Sequence, residues 1–189
     1  MTKPGAMPFH ALILAGGRST RMGRDKAMLT FSGQPLLERQ VHLMRSMGAC
    51  SVRVSGDYPG HQGIRDLRPG LGPLGGLYSA WPEPDQQCWL VLPVDLPRLG
   101  AAQLWPLLTA LSEHPAACFH GHALPLALRL NPSAHSTLRQ LVEDESDPAQ
   151  RSLKRLLAMI GGSELALDAD TAAHLINCNT PAEWQQAQQ

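Results

Sequence analysis

The sequence predicts an α/β domain with a mostly parallel sheet, and three observations support this prediction. Short apolar runs at 9–14 and 89–92 have the length and composition of buried strands. Segments with apolar residues at helical spacing lie between or after these runs, at 34–47, 74–81 and 103–111. Turns rich in Gly and Pro separate the segments. Strands that alternate with helices in this way favour a parallel sheet covered by helices.

The remaining elements follow from the same patterns. Residues 51–55 alternate and include β-branched side chains, which is typical of a strand, whereas 58–73 is rich in Gly and Pro and predicts a loop. The helix at 34–47 has Pro35 in its first turn and a glycine at its end. The C-terminal half predicts strands at 116–119 and 124–130, helices at 138–142 and 153–160, a last strand that ends near Ile176, and a helix at 181–188 that begins at Thr180. No repeat or linker divides the chain, so we expect residues 1–189 to form a single domain.

The composition excludes several classes of protein. The formal net charge is +0, whereas nucleic-acid binders carry a basic excess, so we expect no nucleic-acid partner. No apolar run approaches the ~20 residues that span a bilayer, and the N-terminus lacks the pattern of a secretory signal. We therefore expect a cytoplasmic protein with no membrane partner. The cysteines are far apart and form no C-x-x-C pair, and we expect buried, reduced thiols at Cys50, Cys88, Cys118 and Cys178.

The strongest functional signal follows the first predicted strand directly. Residues 14–26 read Leu-Ala-Gly-Gly-Arg-Ser-Thr-Arg-Met-Gly-Arg-Asp-Lys. Gly16 and Gly17 allow backbone N–H groups to approach an anion closely. Four cations follow in the same loop, namely Arg18, Arg21, Arg24 and Lys26. This concentration of positive charge in a neutral protein indicates a polyanion such as a triphosphate, and the spacing matches neither the G-x-G-x-x-G pattern nor the P-loop.

Three further segments carry polar residues where predicted strands end or helices begin. Asp95 follows a buried strand between two prolines, where it either ligates Mg²⁺ or serves as a turn or cap residue. Asp66, near the Gly-rich segment 70–76, either accepts two hydrogen bonds from a guanine edge or belongs to an ordinary loop. Asn177 and Asn179 precede a predicted helix, and they either hold an acceptor or a metal-bound water or cap that helix.

Two other clusters have both a functional and a structural interpretation. His120 and His122 flank a glycine and form either a metal pair or, more simply, a turn between two strands. Arg151, Lys154 and Arg155 share one face of a predicted helix and either meet an acceptor's phosphate or form a solvated basic face.

Taken together, the four segments resemble the molybdenum cofactor guanylyltransferase family. The resemblance rests on residues 14–19 with 21–23 and 25–26, on 72–76, on 93–97 and on 177–181, which stand in the family's order. It covers the chain from residue 12 to about residue 184. It implies a Rossmann-like nucleotidyltransferase fold, built as a three-layer α/β/α sandwich with a mostly parallel, mixed sheet. It also implies Mg²⁺ as the cofactor, with Mn²⁺ as an alternative.

The resemblance assigns a role to individual residues. Contacts to the nucleotide would come from the end of the first strand, the loop after it and the second strand, through Leu14, Ala15, Gly16, Gly17, Lys26 and Ser55. Ser55 stands where the family often has Asn. Asp66 would contact the guanine, and Asp95 would bind both the nucleotide and the metal ion. Asn177 and Asn179 would face the pterin acceptor.

The reaction that the resemblance implies is transfer of GMP from GTP to the molybdenum–molybdopterin cofactor, with release of pyrophosphate. We expect the acceptor's terminal phosphate to attack the α-phosphorus in line, with Mg²⁺ on Asp95 and with Arg21 and Lys26 neutralising the leaving pyrophosphate. Molybdoenzymes or their chaperones would be further partners. Two alternatives remain open, namely a transferase that uses CTP or another phosphorylated acceptor, and a non-catalytic nucleotide-binding chaperone for the cofactor.

Overall fold

The computed structural model describes residues 7–16, 25–61, 63–81, 83, 86–144, 151–178 and 183–184. These residues form a six-stranded sheet and a separate two-stranded hairpin. The strands are β1 (Phe9–Leu14), β2 (Thr30–Phe31), β3 (Gln34–Pro35), β4 (Val52–Ser55), β5 (Cys88–Pro93), β6 (Ala116–Phe119), β7 (His122–Arg129) and β8 (Ser163–Leu165). The α-helices are α1 (Leu36–Ser46), α2 (Gly72–Ala80), α3 (Ala101–Ala110), α4 (Pro132–Glu143), α5 (Leu153–Ile160) and α6 (Ala169–His174).

The six-stranded sheet has the order β4-β1-β5-β7-β6-β8. β1 pairs in parallel with both β4 and β5, and β6 pairs in parallel with β8. Of these six strands β7 runs in the opposite direction, because it pairs antiparallel with β5 and with β6. The mostly parallel, mixed sheet predicted from the sequence is therefore confirmed.

Alternate side chains of β1 enter two separate cores. Phe9, Ala11 and Ile13 pack on one side of the sheet with apolar residues of α1 and α3. Leu12 and Leu14 pack on the other side with α2, α4 and α5. A strand that is covered on both faces needs apolar side chains at successive positions, which is why β1 has a nearly continuous apolar run. Helices on both faces make the three-layer α/β/α sandwich.

The C-terminal prediction of a strand near Ile176 is wrong. Residues 169–174 form α6, which is capped by Asp168, whose side chain accepts a hydrogen bond of 2.7 Å from the backbone N–H of Thr171. Residues 175–178 follow without regular secondary structure. The parallel partner of β6 is β8, which is earlier in the chain and has only three residues. The predicted start of the terminal helix at Thr180 lies outside the described residues, and residues 183 and 184 are helical.

Smaller differences concern the ends of elements and one thiol. Gln34 and Pro35 pair with Thr30 and Phe31 in the β2–β3 hairpin, so α1 begins only at Leu36. α4 begins at residue 132, earlier than predicted, because the side chain upstream of it caps the helix. The expectation of buried thiols is wrong for Cys50, which is exposed, whereas the other three cysteines are buried and all four are free. Within the described part of the chain, no helix is long and apolar enough to cross a membrane.

Candidate active site

A cavity of about 740 Å³ opens at the carboxyl edge of the parallel strands. Gly16 lines it just beyond β1, Ser55 lines it at the end of β4, and Asp95 lines it just beyond β5. Lys26 and Asp66 reach it from the loops that follow β1 and β4. The carboxyl ends of parallel strands are where open α/β sheets bind their ligands, and the volume is typical of small-molecule sites.

An ion pair joins two sides of this cavity. Lys26 Nζ donates to Asp95 Oδ2 at 3.1 Å, and the side chains of the two residues are only 19% and 17% exposed. Lys26 begins a short 3₁₀ turn that ends at Met28 and is capped by Asp25, whose side chain accepts a hydrogen bond from the Ala27 N–H. The cation after the first strand and the carboxylate after β5 thus lie at one place in the cleft.

The backbone around Asp95 is held from three directions. The residue before it donates a hydrogen bond of 3.1 Å to the carbonyl of Leu14 on β1. The carbonyl of Asp95 itself accepts from the Cys178 N–H at 3.1 Å. The buried side chain of Gln40 on α1 donates to the carbonyl of Leu96 at 2.8 Å. A carboxylate on a backbone that is fixed in this way is preorganised for binding charge.

Asp66 provides a carboxylate at another part of the same cavity. Its Oδ1 atom is buried and has no hydrogen-bond partner among the described residues. Burial raises the pKa of the Asp66 carboxyl, and a hydrogen bond from Ser55 partly opposes this rise. Ser55 is itself only 2% exposed. Buried acceptors are rarely left unsatisfied, so this oxygen is a position at which a ligand donor would fit.

Gly76, which lies beside Ser55, keeps this part of the cavity open. A Cβ atom on Gly76 would lie 2.7 Å from Ser55 Oγ and 2.9 Å from a methyl carbon of Leu14. A Cβ atom on Gly16 would lie 3.4 Å from the same hydroxyl oxygen. Glycine is therefore required at 76 for steric reasons, because the two neighbours are both buried cavity-lining side chains.

A second cavity of about 480 Å³ adjoins the first. The two cavities have four lining residues in common, namely Pro73, Pro93, Asp95 and Leu124. Apolar and polar side chains both line the rest of the second cavity, and the polar ones include His122, Arg151, Lys154 and Asn177. Asp95 therefore stands at the border between two spaces that can each hold a ligand.

In each of the two clusters predicted from the sequence, the basic one and the histidine pair, only some members line the second cavity. Arg151 and Lys154 line the second cavity, whereas Arg155 is exposed and is not among the described residues that line it. His122 lines that cavity, but His120 is exposed and lies 2.7 Å from Glu164. Gly121 between the histidines has a φ of 78°, as the turn interpretation expects. Five of the residues singled out by sequence lie outside the described residues, namely Gly17, Arg18, Arg21, Arg24 and Asn179.

Comparison with known proteins identifies the family. A family model for the MobA-like NTP transferase domain matches residues 11–164, which include both cavities' main lining segments except the one around Asn177. The chain belongs to the MobA-like NTP transferase family.

Relatives within this family share most of the chain. The molybdenum cofactor guanylyltransferase of Xanthomonas euvesicatoria pv. vesicatoria is 43% identical over 178 residues, which are 94% of this chain and 93% of that protein. The probable molybdenum cofactor guanylyltransferase of Synechococcus elongatus is 34% identical over 200 residues, covering 96% of this chain and 99% of that protein. These relatives confirm the family that the sequence motifs resemble.

A solved structure supports the fold independently. Molybdopterin-guanine dinucleotide biosynthesis protein A from Archaeoglobus fulgidus matches with a TM-score of 0.71 at 18% identity, over 95% of this chain and 96% of that one. At this level of identity the likeness concerns the fold, which it confirms as that of the nucleotidyltransferases.

Some residues at this MobA-like site carry little or no signal in the sequence. Tyr58 lies in a Gly- and Pro-rich loop, yet its hydroxyl group donates to the carboxylate of Asp25. Cys178 reads as an ordinary core thiol, yet its N–H fixes Asp95, and burial together with that carboxylate raises the pKa of the thiol to about 11. Gln40 is one polar residue on an otherwise apolar helix face, and that is the only sequence sign of its bond to the Asp95 loop.

Proposed function

We propose that the protein transfers GMP from GTP to the molybdenum–molybdopterin cofactor and releases pyrophosphate. The observation that carries this proposal is the position of Asp95, which lines two adjoining cavities of about 740 Å³ and about 480 Å³. A transferase must hold donor and acceptor side by side at the reacting phosphorus. The family relatives named as molybdenum cofactor guanylyltransferases support the choice of donor and acceptor.

The larger cavity offers groups that suit both the guanine base and the phosphates of GTP. The carboxylate of Asp66, whose Oδ1 atom is buried and has no partner among the described residues, can accept from the N1–H and 2-amino groups of guanine through its two oxygens, a pair of donors that neither adenine nor cytosine offers. Gly16 brings backbone into the cavity without a side chain, and Lys26 supplies a positive charge for the phosphates. Ser55 would support the base site by its hydrogen bond to Asp66.

The donor set fits a magnesium ion that is completed by the substrate. Among the described residues no group of three or more His, Cys, Asp or Glu side chains could hold a metal ion. Mg²⁺ characteristically takes one or two protein carboxylates and fills its other positions with phosphate oxygens and water. Asp95 would hold the ion, which when bound supplies charge stabilisation to the phosphates of the reaction.

The smaller cavity suits an anionic acceptor. Arg151 and Lys154 bring positive charge to one part of its lining, and Asn177 adds an amide that can donate or accept hydrogen bonds. His122 adds a further polar ring. These side chains would hold the terminal phosphate of the acceptor beside Asp95, next to the α-phosphorus of GTP in the larger cavity.

The chemistry requires little proton transfer from the protein. A bond forms between an oxygen of the acceptor's phosphate and the α-phosphorus, while the bond from the α-phosphorus to the bridging oxygen of pyrophosphate breaks. A phosphate nucleophile is already anionic near neutral pH, so orientation and charge stabilisation do the work. Lys26 would neutralise charge on the leaving pyrophosphate, and we assign Arg21 the same role from its place in the sequence.

The test is pyrophosphate release by purified protein with GTP, Mg²⁺ and molybdenum–molybdopterin, together with mass spectrometry of the product. We expect Asp95→Ala and Lys26→Ala to fold normally and to lose on the order of a hundredfold or more in rate, as is usual when one charge-stabilising contact is removed. Asp57→Ala removes an exposed carboxylate on the surface and serves as the matched control. Full activity in either site variant would contradict the roles assigned.

The same assay separates the two alternatives. Product formation with CTP but not with GTP would replace the proposed donor. GTP binding without pyrophosphate release, in the presence of the acceptor and Mg²⁺, would favour a nucleotide-binding chaperone. Omitting Mg²⁺ is expected to abolish release, because Lys26 is the one cationic side chain among the described residues that line the larger cavity, and a single lysine does not balance the charge of a triphosphate.

A further inference from the structure

Tyr58 contacts both ends of the segment that joins β1 to the Lys26 turn. Its hydroxyl oxygen lies 2.9 Å and 3.0 Å from the two carboxylate oxygens of Asp25. The same oxygen lies 3.2 Å from the carbonyl oxygen of Ala15. Ala15 immediately follows β1, and Asp25 immediately precedes Lys26. One side chain therefore links the end of β1 to the residue that positions the lysine of the cleft.

The loop that carries Tyr58 is shaped to hold its ring in this place. The carbonyl of Tyr58 accepts hydrogen bonds from the N–H groups of His61 and Gly63, at 2.9 Å and 3.0 Å. Gly56 has a φ of 125°, and a Cβ atom there would lie 2.6 Å from the Tyr58 ring. Only a glycine at 56 leaves the ring this position, so the backbone of the loop and the ring position depend on each other.

The chemistry of the contact favours a bond from Tyr58 to Asp25. A phenol has one proton to donate, and a carboxylate is a stronger acceptor than a backbone carbonyl. Burial, followed by the hydrogen bond and the charge of Asp25, raises the pKa of the Tyr58 hydroxyl, so it remains a donor over the physiological range. Asp25 uses the same carboxylate to cap the 3₁₀ turn through the Ala27 N–H at 3.0 Å.

We propose that Tyr58 is a positioning residue for the lysine that binds the phosphates. Tyr58 is not among the described residues that line either cavity, so it acts through another group. Its hydroxyl holds Asp25, Asp25 holds the start of the turn, and the turn presents Lys26 to Asp95 at 3.1 Å. The proposal rests on the proposed function in one respect, namely that Lys26 binds the phosphates of GTP.

The experiment is calorimetric titration of the full chain with GTP in the presence of MgCl₂. Tyr58→Phe keeps the ring and removes only the hydroxyl. We expect the variant to bind GTP about tenfold more weakly than the parent, which corresponds to the lower end of the range for a hydrogen bond to a charged group, because Asp25 is exposed. The chain's other tyrosine offers a matched control. Tyr78 on α2 is partly buried against the core between the sheet and α2, α4 and α5. Tyr78→Phe removes a hydroxyl that lines neither cavity, and it is expected to leave GTP affinity within about twofold of the parent.

A double-mutant cycle distinguishes positioning from general stabilisation. In a Lys26→Ala background, Tyr58→Phe is expected to change GTP affinity less than about twofold, since the side chain that it positions is gone. Asp25→Asn weakens the same contact from the other side and is expected to be non-additive with Tyr58→Phe. An undiminished effect of Tyr58→Phe in the Lys26→Ala background would overturn the proposal.

The failure of this proposal and that of the proposed function differ in their readout. A parent protein that binds no GTP would overturn the proposed function, and the role of Tyr58 with it. A parent that binds GTP, beside a Tyr58→Phe variant that binds GTP equally well, would overturn the role of Tyr58 alone.

Discussion

Replacing Asp66 by asparagine tests how the protein recognises a base. In the structure one carboxylate oxygen of Asp66 is buried and without a partner among the described residues, and burial raises the pKa of the Asp66 carboxyl. Two guanine donors can meet a carboxylate, since all of its lone pairs accept. An amide of the same shape has one oxygen and one NH₂ group, so at least one guanine donor would face another donor.

The size of the effect follows from the charge that Asp66→Asn removes. A hydrogen bond to a charged group contributes about 1.5–3 kcal/mol, and about 1.4 kcal/mol corresponds to a factor of ten. We therefore expect the affinity for GTP to fall by about 10- to 150-fold. Inosine triphosphate lacks the 2-amino group, so the parent should bind it about tenfold or more weakly than GTP. The asparagine variant should lose most of this preference.

The assay is isothermal titration with each triphosphate and MgCl₂, using Asp57→Asn as the matched control. Asp57 lies on the same long loop, but its side chain is 63% exposed and pairs with Arg65 on the surface, a type of ion pair that contributes little. If Asp66→Asn weakened GTP and inosine triphosphate equally, the residue would shape the loop without contacting the 2-amino group. Unchanged GTP affinity in this variant would refute the assignment of the base site.

Two further predictions concern the same cavity. The affinity for GTP should reach its full value above the raised pKa of Asp66 and should fall as the pH drops through that pKa, because a protonated carboxyl loses an acceptor. Titrations with GTP at several pH values should show this loss of affinity at low pH for the parent and not for Asp66→Asn. Gly76→Ala should weaken GTP binding by about tenfold or more, because its Cβ would lie 2.7 Å from Ser55 Oγ and overpacking of this kind costs about 1–3 kcal/mol. Gly60→Ala, which meets nothing within 4 Å, should bind GTP like the parent, and equal affinities in the two variants would contradict the steric argument.

The sequence predicts the sheet well where its strands are buried on both faces. β1 spans residues 9–14, as its apolar run indicates, because a short and nearly continuous apolar run is typical of a strand that is covered on both faces. The strand expected near Ile176 fails for a local reason. Asp168 caps a short helix through Thr171. Leu175 and Cys178 after that helix are buried, and the Cys178 N–H bonds to the carbonyl of Asp95, but residues 175–178 pair with no described strand. Asp168 is a good N-cap residue, and its place in the sequence indicates the start of this helix.

The sequence predicts some residues of the candidate site and not others. Gly16 and Asp95 stand directly after buried strands, and the rule that ligands lie at the carboxyl edge of a parallel sheet brings them together without coordinates. Tyr58 and Gln40 reach the site through contacts across about 30 to 60 positions of the chain, as from Tyr58 to Asp25 and from Gln40 to Leu96. Contacts of that kind depend on how loops pack, which neither periodicity nor turn composition specifies.

The reversed direction of β7 has a consequence for how this enzyme can diversify. Because β6 and β7 are joined at the carboxyl edge, the tight turn at Gly121 and the first residues of β7 lie beside the second cavity, where His122 and Leu124 line the wall. The half of the cleft that we propose for the nucleotide lies at the ends of β4, β1 and β5, so it shares few residues with this hairpin. A change in the length or the side chains of this one hairpin is therefore expected to alter the proposed acceptor cavity while the proposed nucleotide cavity keeps its shape.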